Sequence, residues 1–362
     1  LRRCSHIDSF VKLEAYPEYK EARWINSRHD YFKSYSGRFF KSIEDVVYKN
    51  PWFIKHVPVP DRPALINQLY SAGLYFYEND FKAFESHFTR KIMDTIECTL
   101  YRHMLQKYPK DARFICKVLQ GHNRLHTRIG VMAECEARRM SGDMCTSLGN
   151  GFSNLMLVLY IVAKKNGFVK GFVEGDDGLF ASTVRITEED YKQLGFTVEI
   201  HEVPHPKYAH FCGMTVTTAG EVIKNPRVVL SKFGWTHSCI HAGAPVMDQL
   251  LKAKSLSLCY ELPQAPIVGQ LARVSLSLVK QVEPRFEQGE WRLPPLDYTG
   301  PTDEFAPSEE ARLMVEQIWH VSVGLQLLIE EAIRNLDMER VASLLPSEGD
   351  MANYASRYVE VT

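Results

Sequence analysis

Gly171-Phe-Val-Glu-Gly-Asp-Asp-Gly-Leu-Phe180 places two adjacent carboxylates, Asp176 and Asp177, between two short apolar runs. Phe172-Val173 and Leu179-Phe180 have the apolar, partly β-branched look of buried strands. Gly175 permits the turn between them. The stretch therefore predicts a hairpin that drives both acids to its tip. Ionised carboxylates are rarely held together without a counter-charge, because desolvating each one costs several kcal/mol. A divalent cation is the usual remedy, and hard Mg²⁺ takes a few carboxylates plus phosphate oxygens and water. The bland alternative is a solvated Asp-Asp-Gly turn.

Working upstream, a second acid cluster appears in Asp80-Phe-Lys-Ala-Phe-Glu85. Asp80 closes an apolar strand over 74–77, where a strand hands over to a helix and a carboxylate can reach a cleft. It would serve equally as a helix cap. Between the two clusters lies Ser141-Gly-Asp-Met-Cys-Thr146-Ser-Leu-Gly-Asn150-Gly151. Thr146 and Asn150 would share a face at the start of a helix. Short hydrogen-bonding side chains beside glycine turns suit recognition of hydroxyls or phosphates, or simply a polar loop capping a core helix.

The 362 residues are 45% hydrophobic and 24% charged, enough for a large core or for two to three subdomains. The formal net charge is −1, which excludes a polycation. Charge is uneven, however: residues 1–55 hold 11 Lys/Arg against 7 Asp/Glu, and residues 283–362 hold 6 against 16. An anionic partner is expected at the N-terminal part and repelled at the other end. Eight single cysteines without a C-x-x-C pair argue against a zinc site or a disulfide framework and favour a reducing compartment. The longest apolar run, 155–163, is shorter than the ~20 residues of a membrane span and reads as a buried helix. The chain opens on Leu1 rather than Met, so a fragment is expected.

The pattern predicts an α+β core followed by a helical C-terminal part. Helical spacing runs over 86–108, strands and turns over 113–133, and a Gly-rich turn over 141–151 leads into a helix at 152–165. The acidic hairpin at 170–184 follows, then a helix at 187–194, a strand at 196–202 and a hairpin at 208–224. Beyond Pro245 the spacing is helical, interrupted by a Pro-rich loop at 294–307.

Taken in order, Asp80-x4-Glu85, Ser141-Gly-x3-Thr146-x3-Asn150 and Gly175-Asp-Asp177 resemble motifs A, B and C of viral RNA-dependent RNA polymerases. Phe10-Val-Lys12-Leu-Glu14 with Lys20-Glu-Ala-Arg23-Trp-Ile25-Asn-Ser-Arg28 resembles motif F, the basic finger strand of the tombusvirus-like and flavivirus-like positive-strand groups. Phe211-Cys212-Gly213 resembles motif E. The likeness covers roughly residues 10–235. It implies a right-hand polymerase palm, an antiparallel sheet with flanking helices, with partial fingers and a helical thumb. The corresponding division is fingers 1–73, palm 74–110, fingers insertion 111–140, palm 141–215 and thumb 216–362.

The resemblance further implies two-metal nucleotidyl transfer, with two Mg²⁺ ions ~4 Å apart, or Mn²⁺ as substitute. Asp80, Asp176 and Asp177 would be the catalytic metal ligands. Glu85, Ser141, Thr146 and Asn150 would select the ribonucleotide, although Glu85 departs from the commoner Asp of the family. Lys12, Lys20, Arg23 and Arg28 would meet the triphosphate and template, with Tyr16, Tyr19 and Trp24 as stacking surfaces. Lys192 and Lys207 both stand as candidates for the general acid at the leaving pyrophosphate. Lys224, Arg227 and Lys232 are either a grip on the product strand or ordinary surface charges. The implied partners are RNA template and product, ribonucleoside triphosphates and other viral replicase proteins, with no transmembrane segment here. The implied place is the host cytoplasm at membrane-associated replication complexes. Two alternatives are a reverse transcriptase, against which Glu85 and the Ser-Gly-x3-Thr-x3-Asn block weigh, and a non-catalytic palm-fold RNA-binding scaffold, which has no need of bare acids. A metal-dependent nuclease fits the carboxylates alone.

Overall fold

The computed structural model describes residues 3–12, 21, 23–234, 236, 239–286 and 305–345. It is a mixed α+β chain whose contacts divide it into two units. Among the described residues, the first unit takes 3–12, 21, 23–57 and Gln68–Cys212, and the second takes Pro58–Asn67 and those from Gly213 onward.

Chain order begins with β1 (His6–Val11), β2 (Trp24–Arg28), α1 (Asp30–Val47), α2 (Arg62–Asn67) and β3 (Tyr75–Phe81). Next come α3 (Arg90–Thr95), α4 (Glu97–Met104), α5 (Pro109–Leu119), β4 (His122–Thr127) and β5 (Met132–Glu136). The long α6 (Thr146–Lys164) leads to the hairpin β6 (Val169–Glu174) and β7 (Asp177–Ser182), then α7 (Glu188–Lys192) and β8 (Val198–Val203). Two antiparallel sheet pairs flank β3, giving the order β6-β7-β3-β8. A second four-stranded sheet runs β2-β1-β4-β5.

Alternation along β3 sets its two faces. Tyr77, Asn79 and Phe81 are buried on one side, while Glu78 and Asp80 lie on the other. The core against the first side is an aromatic and aliphatic cluster that includes Phe81, Phe84, Phe88, Leu155, Val158, Ile161 and Phe196. Among the described residues α6 is the one helix long and apolar enough to cross a bilayer, but its Leu148, Leu155, Val158 and Ile161 are buried in that core.

Three local expectations are corrected. Helical spacing over 86–108 resolves into a 3₁₀ turn, Phe84–His87, and two separate helices, α3 and α4. Residues 113–119 are helix rather than strand, because Ala112, Ile115, Cys116 and Leu119 make one buried stripe behind Pro109 in the first turn. Helix α6 starts at Thr146, six residues before the sequence suggests, so Gly149 and Gly151 lie inside it. Those glycines are there for space: a Cβ on Gly149 would meet Arg139 Nη1 at 2.1 Å, and one on Gly151 would press on Phe53 and the Gly175 backbone.

The second unit holds a two-stranded pair, β9 (Thr215–Val216) and β10 (Val222–Ile223), followed by α8 (Pro226–Lys232) and α9 (Ala244–Glu261). Helices α10 (Val268–Leu278), α11 (Glu309–Trp319), α12 (Val323–Arg334) and α13 (Met338–Leu344) complete it around Leu271, Met314, Val315, Ile329 and Ile333. The Pro-rich stretch up to residue 304 lies outside the described residues. Lys224 pairs with Glu261 at 3.1 Å, and Arg227 Nη1 donates to the Trp319 carbonyl at 2.6 Å, so both are engaged within this unit.

Candidate active site

Strand register brings the two acid clusters together. Asn79 pairs with Gly178 in the β3–β7 ladder, and one further step sets Asp80 beside Asp177. Glu174 pairs with Asp177 across the hairpin, leaving Gly175, at φ +63°, and Asp176 as its two-residue tip. Directly opposed residues share a face, so Glu78, Asp80 and Asp177 lie together on the side away from α6.

Buried amides fix this arrangement from behind. Asn79 Nδ2 donates to Asn154 Oδ1 at 2.9 Å, and Asn154 Nδ2 donates to the Asp176 carbonyl at 2.9 Å. Both asparagines are almost fully buried, so an unmet amide there would cost about 1–3 kcal/mol. Gly178 is required beside them, since a Cβ would lie 2.4 Å from Asn79 Oδ1.

Electrostatics report the same convergence. Burial pushes the Asp177 carboxyl up to about 6, and the charges of Asp176, Asp80 and Glu174 add to it. Asp176 is raised by burial, then by Glu85 and Asp80, while the cationic Arg23 acts in the opposite sense. Glu78 is raised by burial first and also by Asp80. Asp176 and Asp177 are both exposed, so solvent reaches the carboxylates although protein mass behind them dominates the shift. The turn before β9 closes on this face. The His210 backbone N–H donates to Glu78 Oε2, and Cys212, at φ +52°, bonds the Asp177 side chain.

A second feature adjoins the acids. Ala83, at φ +48°, lies two residues beyond β3 and caps the 3₁₀ turn that carries Glu85. Phe84 and Phe88 anchor the turn, with ring centroids 5.0 Å apart. Asn150, buried in the second turn of α6, donates from Nδ2 to Glu85 Oε1 at 3.1 Å. Its Oδ1 is buried with no partner among the described residues.

Other sequence candidates fall elsewhere. Arg28 is 1% exposed: Nε and Nη2 donate to Asp143 at 2.8 and 3.0 Å, and Nη1 donates to Cys4 O and Asn123 Oδ1. It is a structural cross-link, its guanidinium engaged by Asp143, Cys4 and Asn123. Ser141 Oγ is held by β2, accepting from Asn26 N at 3.0 Å and donating to Trp24 O at 3.2 Å. Thr146 Oγ1 donates to the Met140 and Asp143 carbonyls at the start of α6, so it does not turn toward Asn150. Lys12 and Arg23 are exposed, joined by a backbone bond from Lys12 N to Arg23 O at 2.8 Å. Lys20, like Tyr16 and Tyr19, lies outside the described residues. Lys192 is 78% exposed beside Glu189, and Lys207 is half-buried over the Tyr208 ring.

The residues missed from sequence are Glu78, Asn79 and Asn154. A signal existed for Asn154, which repeats Asn150 at helical spacing in an otherwise apolar helix. Among the described residues no three acid, His or Cys side chains form a ready metal cage. The donor set nonetheless fits Mg²⁺: hard carboxylate oxygens converge where burial and then neighbouring acids raise Asp176 and Asp177, and this ion takes one or two carboxylates with water and phosphate.

A family model described as viral RNA-dependent RNA polymerase matches residues 33–233. The RNA-directed RNA polymerase of greasy grouper nervous necrosis virus is 26% identical over 210 residues, 54% of this chain and 21% of that protein. Those of striped jack and Atlantic halibut nervous necrosis viruses are 26% and 25% identical over 207 residues. The chain thus spans about a fifth of the length of these curated relatives. Since the matched segment is more than half of its residues and contains the converging acids of β3 and the β6–β7 tip, this chain belongs to the viral RNA-dependent RNA polymerase family.

Proposed function

We propose that the chain carries the nucleotidyl-transfer centre of template-directed RNA synthesis, joining ribonucleotides to an RNA 3′-hydroxyl during viral genome replication. The observation that supports this best is the gathering of Asp80, Asp176 and Asp177, drawn from separate strands, on one sheet face. In this reading the β6-β7-β3-β8 sheet with α6 is the palm, the β2-β1-β4-β5 sheet belongs to the fingers, and the helices after Gly213 form the thumb. Magnesium, as two ions on Asp80 and Asp176 with Asp177 beside them, or manganese in its place, would supply Lewis-acid stabilisation of phosphate oxygens and an activated 3′-hydroxyl when bound.

The protein's own contribution is orientation and charge. Asn154 and Asn79 hold the Asp176 backbone still, so the carboxylates need no rearrangement to receive their ligands. Arg23 brings a guanidinium toward Asp176, where a triphosphate oxygen would find a planar donor. Glu85 and Asn150 offer acceptor oxygens to a ribose hydroxyl, and a 2′-deoxynucleotide would leave them unpaired. That contact weighs against the reverse-transcriptase alternative. Lys207, which leads into the Ala209–Cys212 turn, is the better general-acid candidate, because Lys192 points to solvent beside Glu189.

Template-directed incorporation by the full-length protein tests the reading. Asp80→Ala and Asp176→Ala should each lose more than about a thousandfold in rate. RNA binding, which rests on backbone phosphates contacted elsewhere, should survive. Near-normal synthesis by either variant rejects the assignment.

A further inference from the structure

We propose that the buried Arg139–Glu97 ion pair is a positioning element that sets the Glu85–Asn150 hydrogen bond, and through it the choice between ribo- and deoxyribonucleotides. The inference rests on the reading of Glu85 and Asn150 as the sugar contact. Arg139 is 3% exposed and Glu97 is fully buried. Arg139 Nη1 donates to Glu97 Oε2 at 2.8 Å, and Tyr101 Oη donates to the same oxygen at 3.1 Å. The guanidinium carbon lies 4.1 Å from the Phe88 ring centroid, at the end of the turn that carries Glu85. Positive φ at Ala137 and Arg138, +52° and +69°, turns the chain so that Arg139 enters the core.

Arg139 bonds the backbone of Glu85 and lies against the helix turn that carries Asn150. Its backbone N–H donates to the Glu85 carbonyl at 3.2 Å. Its guanidinium occupies the space beside Gly149, the residue before Asn150, where a Cβ would stand 2.1 Å from Nη1 and 2.7 Å from Glu97 Oε2. The glycine thus lets the ion pair sit directly under the helix turn that presents Asn150. An apolar pair of equal volume would be no less stable in such a place. A directional pair, however, fixes the spacing of two elements, and displacements of about 1 Å at a reacting site can change rates a hundredfold.

The test uses the full-length protein on an RNA template, comparing kcat and KM for a ribonucleotide and its 2′-deoxy counterpart. Arg139→Lys and Glu97→Gln should each lower the ribo/deoxy preference about tenfold, chiefly through the ribonucleotide KM, with Asn150→Ala as reference. Should Arg139→Lys fail to fold, Phe88→Leu loosens the same guanidinium and carries the measurement. Variants that melt like the wild type and keep its preference, while Asn150→Ala loses it, overturn this inference alone. An Asn150→Ala protein with unchanged preference removes the sugar-contact reading, and this inference with it.

Discussion

Charge is met in opposite ways at two places in the first unit. Arg28 with Asp143 is buried, bidentate and neutralised, tying β2 to the loop before α6. On the outer face of the β3 sheet, Glu78, Asp80, Asp176 and Asp177 stand together, and the carboxyls of Glu78, Asp176 and Asp177 are pushed upward by burial and by neighbouring acids. Acids that serve the fold come with a cation of their own, whereas this cluster gathers like charges and is the feature on which the proposed function rests. The two places should therefore answer neutralisation with opposite signs. Asp143→Ala leaves Arg28 buried and unpaired, and should cost about 3–5 kcal/mol in denaturant melts. Asp177→Asn removes repulsion and should raise stability, by under about 1 kcal/mol because solvent screens the exposed group, while nucleotide addition is lost. A destabilised Asp177→Asn protein would break the contrast.

Acidity sharpens it. In the folded protein Asp177 titrates near 6, above the 3.8 of a free carboxyl. Between these values the folded state keeps a proton that the unfolded chain has released. The contribution of this group to stability is therefore fully present below about pH 4 and is lost as pH rises through about 6. In chelating buffer the melting-temperature gain of Asp177→Asn over wild type should widen from pH 4 to pH 7. A gain constant across that range would mean that the carboxyl is not held in a repulsive field.

The acid cluster was legible because its signal is local: a glycine, two carboxylates and apolar strands in ten residues, with Asp80 in the same grammar. Strand pairing then had only to add register. The helix α5 was less legible because Arg113 and Lys117 alternate with apolar neighbours over a few residues, although the longer stripe from Ala112 to Leu119 has helical period. Glycine hid the start of α6. In isolation Gly149 and Gly151 disfavour helix, and only the guanidinium of Arg139 and the ring of Phe53 explain why no side chain fits there. The burial of Arg28 is hidden for a related reason: a basic strand looks solvated until Asp143, far along the chain, turns out to face it. Partners separated by over a hundred residues leave no periodic trace in either segment.

Ser141 is the smallest and most discriminating case. Sequence spacing groups it with Glu85 and Asn150, yet its hydroxyl is occupied by the Trp24 and Asn26 backbone of β2. Gly142 strengthens the same junction, donating from its N–H to Asn26 O at 2.9 Å. Ser141 thus belongs with the paired, structural side of the molecule. Ser141→Ala should cost about 1 kcal/mol, the usual worth of such hydrogen bonds, and leave the ribo/deoxy preference unchanged. Asn150→Ala should do the reverse, changing preference more than stability, since its amide oxygen has no partner among the described residues to lose. If Ser141→Ala instead relaxed sugar choice with its melting unchanged, the boundary between the two kinds of site would have to be moved to include β2.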